Sequence, residues 1–228
     1  MKTLRQQLLV LGLTAVAAFQ AHAGTVSVGA TADDWFIPVV PGVYTAFNTS
    51  GNPTDPYLRT FGNAAGVNRS ALEFSLAGIS AGSVIDSAKF TIQSRGTSVA
   101  GGTFKFWGYS GDGAITAADA LQTTTLVGTA ATQNGQPQYI IDVTSLIQTL
   151  IDTNANYAGI LITVSPEGNF FGSDFVSKDG VAAGFFAAAD APNLLVDFHA
   201  GNQLPTPGTL PLALLAGVTA LGFARRKA

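Results

Sequence analysis

The sequence predicts an all-β chain: a jelly-roll-like sandwich of two sheets with one short helix, flanked by a hydrophobic helix at each terminus. Three observations carry that reading. Between Arg69 and Ser94 two runs alternate: Leu72, Phe74 and Leu76 oppose Ala71, Glu73 and Ser75, and Ala88, Phe90 and Ile92 oppose Ser87, Lys89 and Thr91. Period-two alternation sends successive side chains to opposite faces of a pleat, which marks a half-buried strand. Short segments of this kind recur along the chain with glycine, proline, asparagine and aspartate between them. Only 11% of the residues are charged, while 26 are glycine and 15 phenylalanine, the profile of a β-rich extracellular domain.

Taken in order, Thr25 to Val28 and Trp35 to Val40 read as strands separated by an acidic turn at Asp33-Asp34, with Pro38 and Pro41 pushing the second towards a sheet edge. Asn48 to Pro56 is a loop by composition, Tyr57 to Phe61 a short strand, and Gly62 to Asn68 another loop. The connection AGISAGS inside the Arg69–Ser94 stretch is long for a tight hairpin, so its two strands are expected to cross between sheets. Gly96 to Gly102 reads as a turn, Thr103 to Tyr109 as a strand and Leu121 to Ala131 as extended. Tyr139 to Val143 alternates again. Leu146, Ile147, Leu150 and Ile151 then share a face at helical spacing, predicting a helix over Thr144 to Asp152 capped by Asp142 or Thr144. Ile160 to Val164, Phe170 to Val176, Ala182 to Ala188 and Leu194 to Phe198 complete the strand candidates.

The two ends read differently from the body. Lys2 and Arg5 precede an apolar run from Leu8 to Phe19, and Ala21-His22-Ala23 is a small-x-small junction. This is the layout of a secretory signal peptide cleaved before Gly24. At the other end Leu204-Pro205-Thr206-Pro207-Gly208 breaks the chain, Leu210 to Phe223 is apolar, and Arg225-Arg226-Lys227 supplies a basic cluster. A short hydrophobic helix halted by positive charge is also the layout of an ordinary membrane anchor. Its order resembles the PEP-CTERM sorting signal of Gram-negative bacteria, with Thr206 where that signal usually has glutamate. The resemblance implies recognition by an exosortase-like enzyme, transient inner-membrane insertion, removal of the tail and delivery to the cell surface or matrix.

Between these ends lies one domain, residues 24–200, followed by a linker at 201–209. From Gly24 to Leu204 six basic side chains face fourteen acidic ones, a net of −8. Nucleic-acid binding needs a basic footprint, and a domain this acidic is a poor candidate for it. The absence of cysteine excludes disulfides, thiolate metal sites and cysteine nucleophiles.

Candidate sites are few. The segment from Ser110 to Asp119 resembles part of an EF-hand loop through Asp112-Gly113 and Asp119, although Gly108 stands where the first carboxylate belongs. Calcium is the one cofactor this admits; a capped turn is the alternative. Asp33, Asp34 and Asp190 would gather oxygens if the first and last strands were neighbours. Trp35, Trp107 and Tyr109, with Tyr44 and Tyr57, are rings that could stack on sugars, or pack in the core. Hydrolysis is weakly supported: Glu73 and Glu167 are the only glutamates, and the mature chain would hold one histidine, His199.

The stretches RSALEFSLAGISAGSVIDSAKFTI, YIIDVTSLIQTLI and APNLLVDF resemble the centre, helix start and closing strand of the DNRLRE-type domain. That resemblance implies a secreted, non-catalytic β-sandwich, some of whose relatives are described as carbohydrate-binding modules. The expectation is a non-enzymatic surface or extracellular-matrix protein, with exopolysaccharide recognition through exposed aromatics as the alternative.

Overall fold

A computed structural model describes residues 23–40, 42–46, 56–63, 66–166 and 168–201. The expected terminal helices and the Asn48–Asp55 part of the first loop lie outside these residues. Ala23–His199 forms one compact unit. Its strands are β1 (Ala23–Gly29), β2 (Ala32–Val40), β3 (Val43–Ala46), β4 (Tyr57–Asn63), β5 (Gly66–Val67), β6 (Arg69–Ser75), β7 (Ser83–Val99), β8 (Thr103–Gly111), β9 (Thr125–Ala131), β10 (Gln138–Asp142), β11 (Tyr157–Ser165), β12 (Gly172–Val176) and β13 (Asn193–Ala200). The helix α1 (Thr144–Asp152) follows β10, and a five-residue α2 (Lys178–Ala182) follows β12.

The strands make two antiparallel sheets. One has the order β1-β13-β7-β12-β4-β5, with β10 also paired to β7; the other has the order β3-β2-β6-β11-β8-β9. The β6 and β7 strands fall in different sheets, as the long AGISAGS connection requires. The apolar set of each alternating run turns inward, so Leu72 and Phe74 from one sheet meet Ala88, Phe90 and Ile92 from the other, all fully buried. Aromatic rings join the layers: Phe74 lies 5.7 Å from Phe90, and Phe104 lies 5.2 Å from Phe175 and 5.3 Å from Tyr139. Such edge-on contacts add to the area that the rings bury.

The helix α1 occupies the predicted residues and buries Leu146, Ile147, Leu150 and Ile151. The cap expectation is corrected: Val143, not Asp142 or Thr144, stands at the N-cap and no side chain caps the helix, although both expected residues are engaged beside it. The Thr144 amide donates to Asp142 Oδ1 at 2.9 Å, while Thr144 Oγ1 accepts from the Ala88 amide at 2.9 Å and ties the helix start to β7.

Four expectations are corrected. Asp33 and Asp34 are not a turn but lie inside β2 and are buried. That strand is not an edge over its whole length: Ala32–Phe36 pairs with β6 and Phe36–Val40 with β3, so Pro38 lies in the half that has a partner on one side only. The Gly96–Val99 segment continues β7, and Ala182–Ala188 is no strand: α2 ends at Ala182, and a turn then leads into the 3-10 turn at Ala188–Asp190.

Candidate functional site

Polar side chains on β6 and β8 point away from the sandwich interior, where alternation predicts solvent. The loop after β8 covers them instead. Ala120, in the 3-10 turn Asp119–Leu121, packs with Phe36, Ala71, Tyr109 and Leu161 in a second apolar cluster on the outside of the six-stranded sheet. Glu73 is therefore fully buried although its strand alternates in the ordinary way. Its Oε2 accepts the Gly113 amide at 2.6 Å, while Oε1 has no hydrogen-bond partner. Gly113 has φ +94°, and a Cβ there would run into the Tyr157 ring, so the residue that meets the carboxylate has to be glycine. Arg69 closes the other side: Nη1 donates to the Ala120 carbonyl at 2.5 Å, and its guanidinium lies 4.5 Å from the Tyr44 ring centroid.

The Tyr109 hydroxyl faces Glu73 and Asp119 without a hydrogen bond of good geometry to either. Burial, then the two facing carboxylates, push its pKa far above the ordinary tyrosine range. Burial likewise raises that of Glu73, against the Gly113 amide, which lowers it. A raised carboxyl beside a phenol has the makings of acid–base chemistry. Here the loop lies directly over both groups, and Tyr109 is only 7% exposed.

The expected calcium ligands are engaged in turns. Asp112 Oδ1 accepts the Ala114 amide at 3.0 Å; Asp119 Oδ2 accepts the Thr116 amide at 2.7 Å and its hydroxyl at 3.1 Å. Gly108 lies on β8 and packs against Leu146. Among the described residues no group of three or more His, Cys, Asp or Glu side chains could hold a metal ion.

The Asp33, Asp34 and Asp190 grouping fails even though its premise is met. The β1 and β13 strands do pair, from Ala23 opposite His199 to Gly29 opposite Asn193. Asp33 and Asp34 belong to β2 in the other sheet, where Asp33 Oδ2 accepts the Lys178 amide at the start of α2. Desolvation raises the Asp33 pKa to about 6, opposed by that amide and reinforced by Asp179. Asp190 pairs with Arg95 at 2.6 Å.

Of the expected sugar-stacking rings, Trp35 is 5% exposed and Tyr109 is sealed as described. Burial takes both out of reach of a ligand. Trp107 is half-buried on the outer face, its Nε1 donating to Thr163 Oγ1 at 3.0 Å. Tyr57 packs on Phe186 at 5.3 Å. His199 Nδ1 lies 2.9 Å from Asp86 on the surface. The exposed aromatics that the sequence reading missed are Phe170 and Phe185, at 61% and 59%. Neither shows in a hydropathy pattern, because each neighbours a second phenylalanine: Phe171, which packs on the core, and Phe186, which packs on Tyr57.

A cleft of about 460 Å³ lies between β8, β9 and α1, lined by Thr125, Ser145 and Thr149 together with Leu126, Val127 and Leu146. Ala23 and Gly24, the expected cleavage junction, open β1. Ala21, Glu167, and the sorting residues Pro205, Thr206, Pro207, Arg225, Arg226 and Lys227 lie outside the described residues. No protein-family model matches the sequence, and no curated protein matches it.

Proposed function

We propose that the chain is a non-enzymatic protein exported by a Gram-negative bacterium and sorted to the cell surface or extracellular matrix. In this reading its jelly-roll-like sandwich is bracketed by two removable hydrophobic helices. The observation that carries the proposal is a coincidence of boundaries. The compact unit starts at Ala23, at the expected signal-peptidase junction, and ends at His199, just before the linker at 201–209. Processing at both ends would thus leave the folded sandwich almost untouched; only the pairing of Ala23 with His199 is lost. The uses made of the carboxylates fit a scaffold. Glu73 holds a loop, Asp119 caps a turn, Asp33 receives the start of α2 and Asp190 pairs with Arg95.

Intact-mass measurement of the protein from its native envelope and medium tests the proposal. The expected species begins at Gly24 and ends in the linker or near Pro205–Pro207, after cleavage by an exosortase-like enzyme. A cytoplasmic species running from Met1 to Ala228 would overturn it. A second reading, recognition of exopolysaccharide, is favoured by one observation: Phe170 projects a ring into solvent from a sheet surface that also carries Arg59 and Asp174.

A further inference from the structure

Phe170 is held in its exposed position by the backbone around it. The Gly62 amide donates to the Phe171 carbonyl at 3.0 Å, and a Cβ on Gly62 would collide with the Asn169 carbonyl oxygen, so the 168–171 loop sits directly on β4. Phe171 turns inward to the core, which leaves Phe170 facing out. One face of the Phe170 ring stacks on Phe61, with centroids 5.0 Å apart and planes 18° from parallel. Folding does not need this: a ring 61% exposed leaves most of its apolar surface in water.

Beside the ring lies a groove of about 130 Å³, lined by Arg59, Phe61, Asn68, Thr97, Phe170 and Asp174. Its floor is regular sheet, with Arg59 opposite Asp174 and Phe61 opposite Gly172 on β4 and β12. Asp174 Oδ2 accepts the Thr97 amide at 3.1 Å, and the backbone N–H of Asn68 donates to the Phe61 carbonyl at 2.8 Å. The groove thus sets a flat apolar face from the 168–171 loop beside a guanidinium and a carboxylate on paired strands and a carboxamide on the link between β5 and β6.

We infer that this groove binds one ring of a neutral polysaccharide, its C–H face on Phe170 and its hydroxyls on Arg59 and Asn68, with the buried Asp174 carboxylate behind the guanidinium. A hydroxyl both donates and accepts, so adjacent hydroxyls suit a guanidinium beside a carboxamide. The volume decides the mode: ordinary small-molecule pockets run to about 300–1,000 Å³, so this groove touches one unit of a long chain and engulfs nothing. Charge decides the class. Arg59 and Asp174 lie 3.8 Å apart and offset each other, and the domain's net of −8 repels a polyanion. The inference rests on the exopolysaccharide reading above and gives it a site.

Affinity electrophoresis of the protein isolated from its native source tests it, in gels containing dextran, laminarin, galactomannan or polygalacturonate. The expected result is retardation by at least one neutral polymer. Phe170→Ala should weaken that binding at least tenfold, Phe170→Tyr should keep it, and Phe185→Ala, which removes an equally exposed ring outside the groove, should leave it unchanged. Equal retardation of wild type and Phe170→Ala overturns this site and leaves the glycan reading standing. No retardation of the wild type by any polymer removes both, and retardation by polygalacturonate alone overturns the neutral class.

Discussion

The Glu73 carboxylate accepts the Gly113 amide at 2.6 Å, so a side chain from a central strand holds down the loop that buries it. Glu73→Ala should cost about 1–3 kcal/mol, the usual effect of stranding a buried donor. It should also speed hydrogen exchange at Gly113. Glu73→Gln keeps an acceptor and should fall within about 1 kcal/mol of wild type. Urea unfolding of the two variants separates these outcomes; equal stabilities would show that the carboxylate does not anchor the loop.

Asp33 sets a pH dependence. Its folded pKa is raised from 3.8 to about 6 by burial. A raised carboxyl pKa contributes stability that is fully present below pH 3.8 and is lost as pH rises through about 6. By linkage this amounts to about 3 kcal/mol. Asp33→Asn should flatten the stability profile between those two limits. Parallel profiles for mutant and wild type would exclude Asp33 as the group responsible.

The core prediction concerns Phe104, which touches Phe106, Tyr139 and Phe175 and is fully buried. Truncation to alanine removes contacts to both sheets at once and should cost about 3–5 kcal/mol. An unchanged denaturation midpoint would mean that the two sheets hold together without this cluster.

Calcium should leave the melting temperature unchanged, because Asp112 and Asp119 already serve the turn amides of Ala114 and Thr116. A ligand that binds only the native state raises it. Asp119→Ala should cost about 1 kcal/mol with or without chelator, as loss of a capping side chain does. A chelator-dependent melt would reinstate a metal at this loop.

The sequence displays what repeats. Strands with one face in the core show in alternation, and α1 shows in the spacing of Leu146, Ile147, Leu150 and Ile151. It hides what depends on a distant segment. Glu73 looks solvent-facing because the segment that covers it, around Ala120, arrives some forty-five residues later. Asp33 and Asp34 look like a turn because acidic pairs usually are one; here the start of α2 supplies a backbone donor to Asp33. Sugar stacking is expected of tryptophan and tyrosine, whereas the projecting ring belongs to a loop phenylalanine placed by a glycine on β4.

The in-register pairing of β1 with β13, which sets Ala23 opposite His199, has a mechanical consequence. If the mature protein hangs from its C-terminal end, tension enters through β13, a strand clamped between β1 and β7. The pull then runs along two ladders of backbone bonds and loads each of them in shear, one of them against the longest strand of the sandwich. Such a domain would withstand drag at its point of attachment.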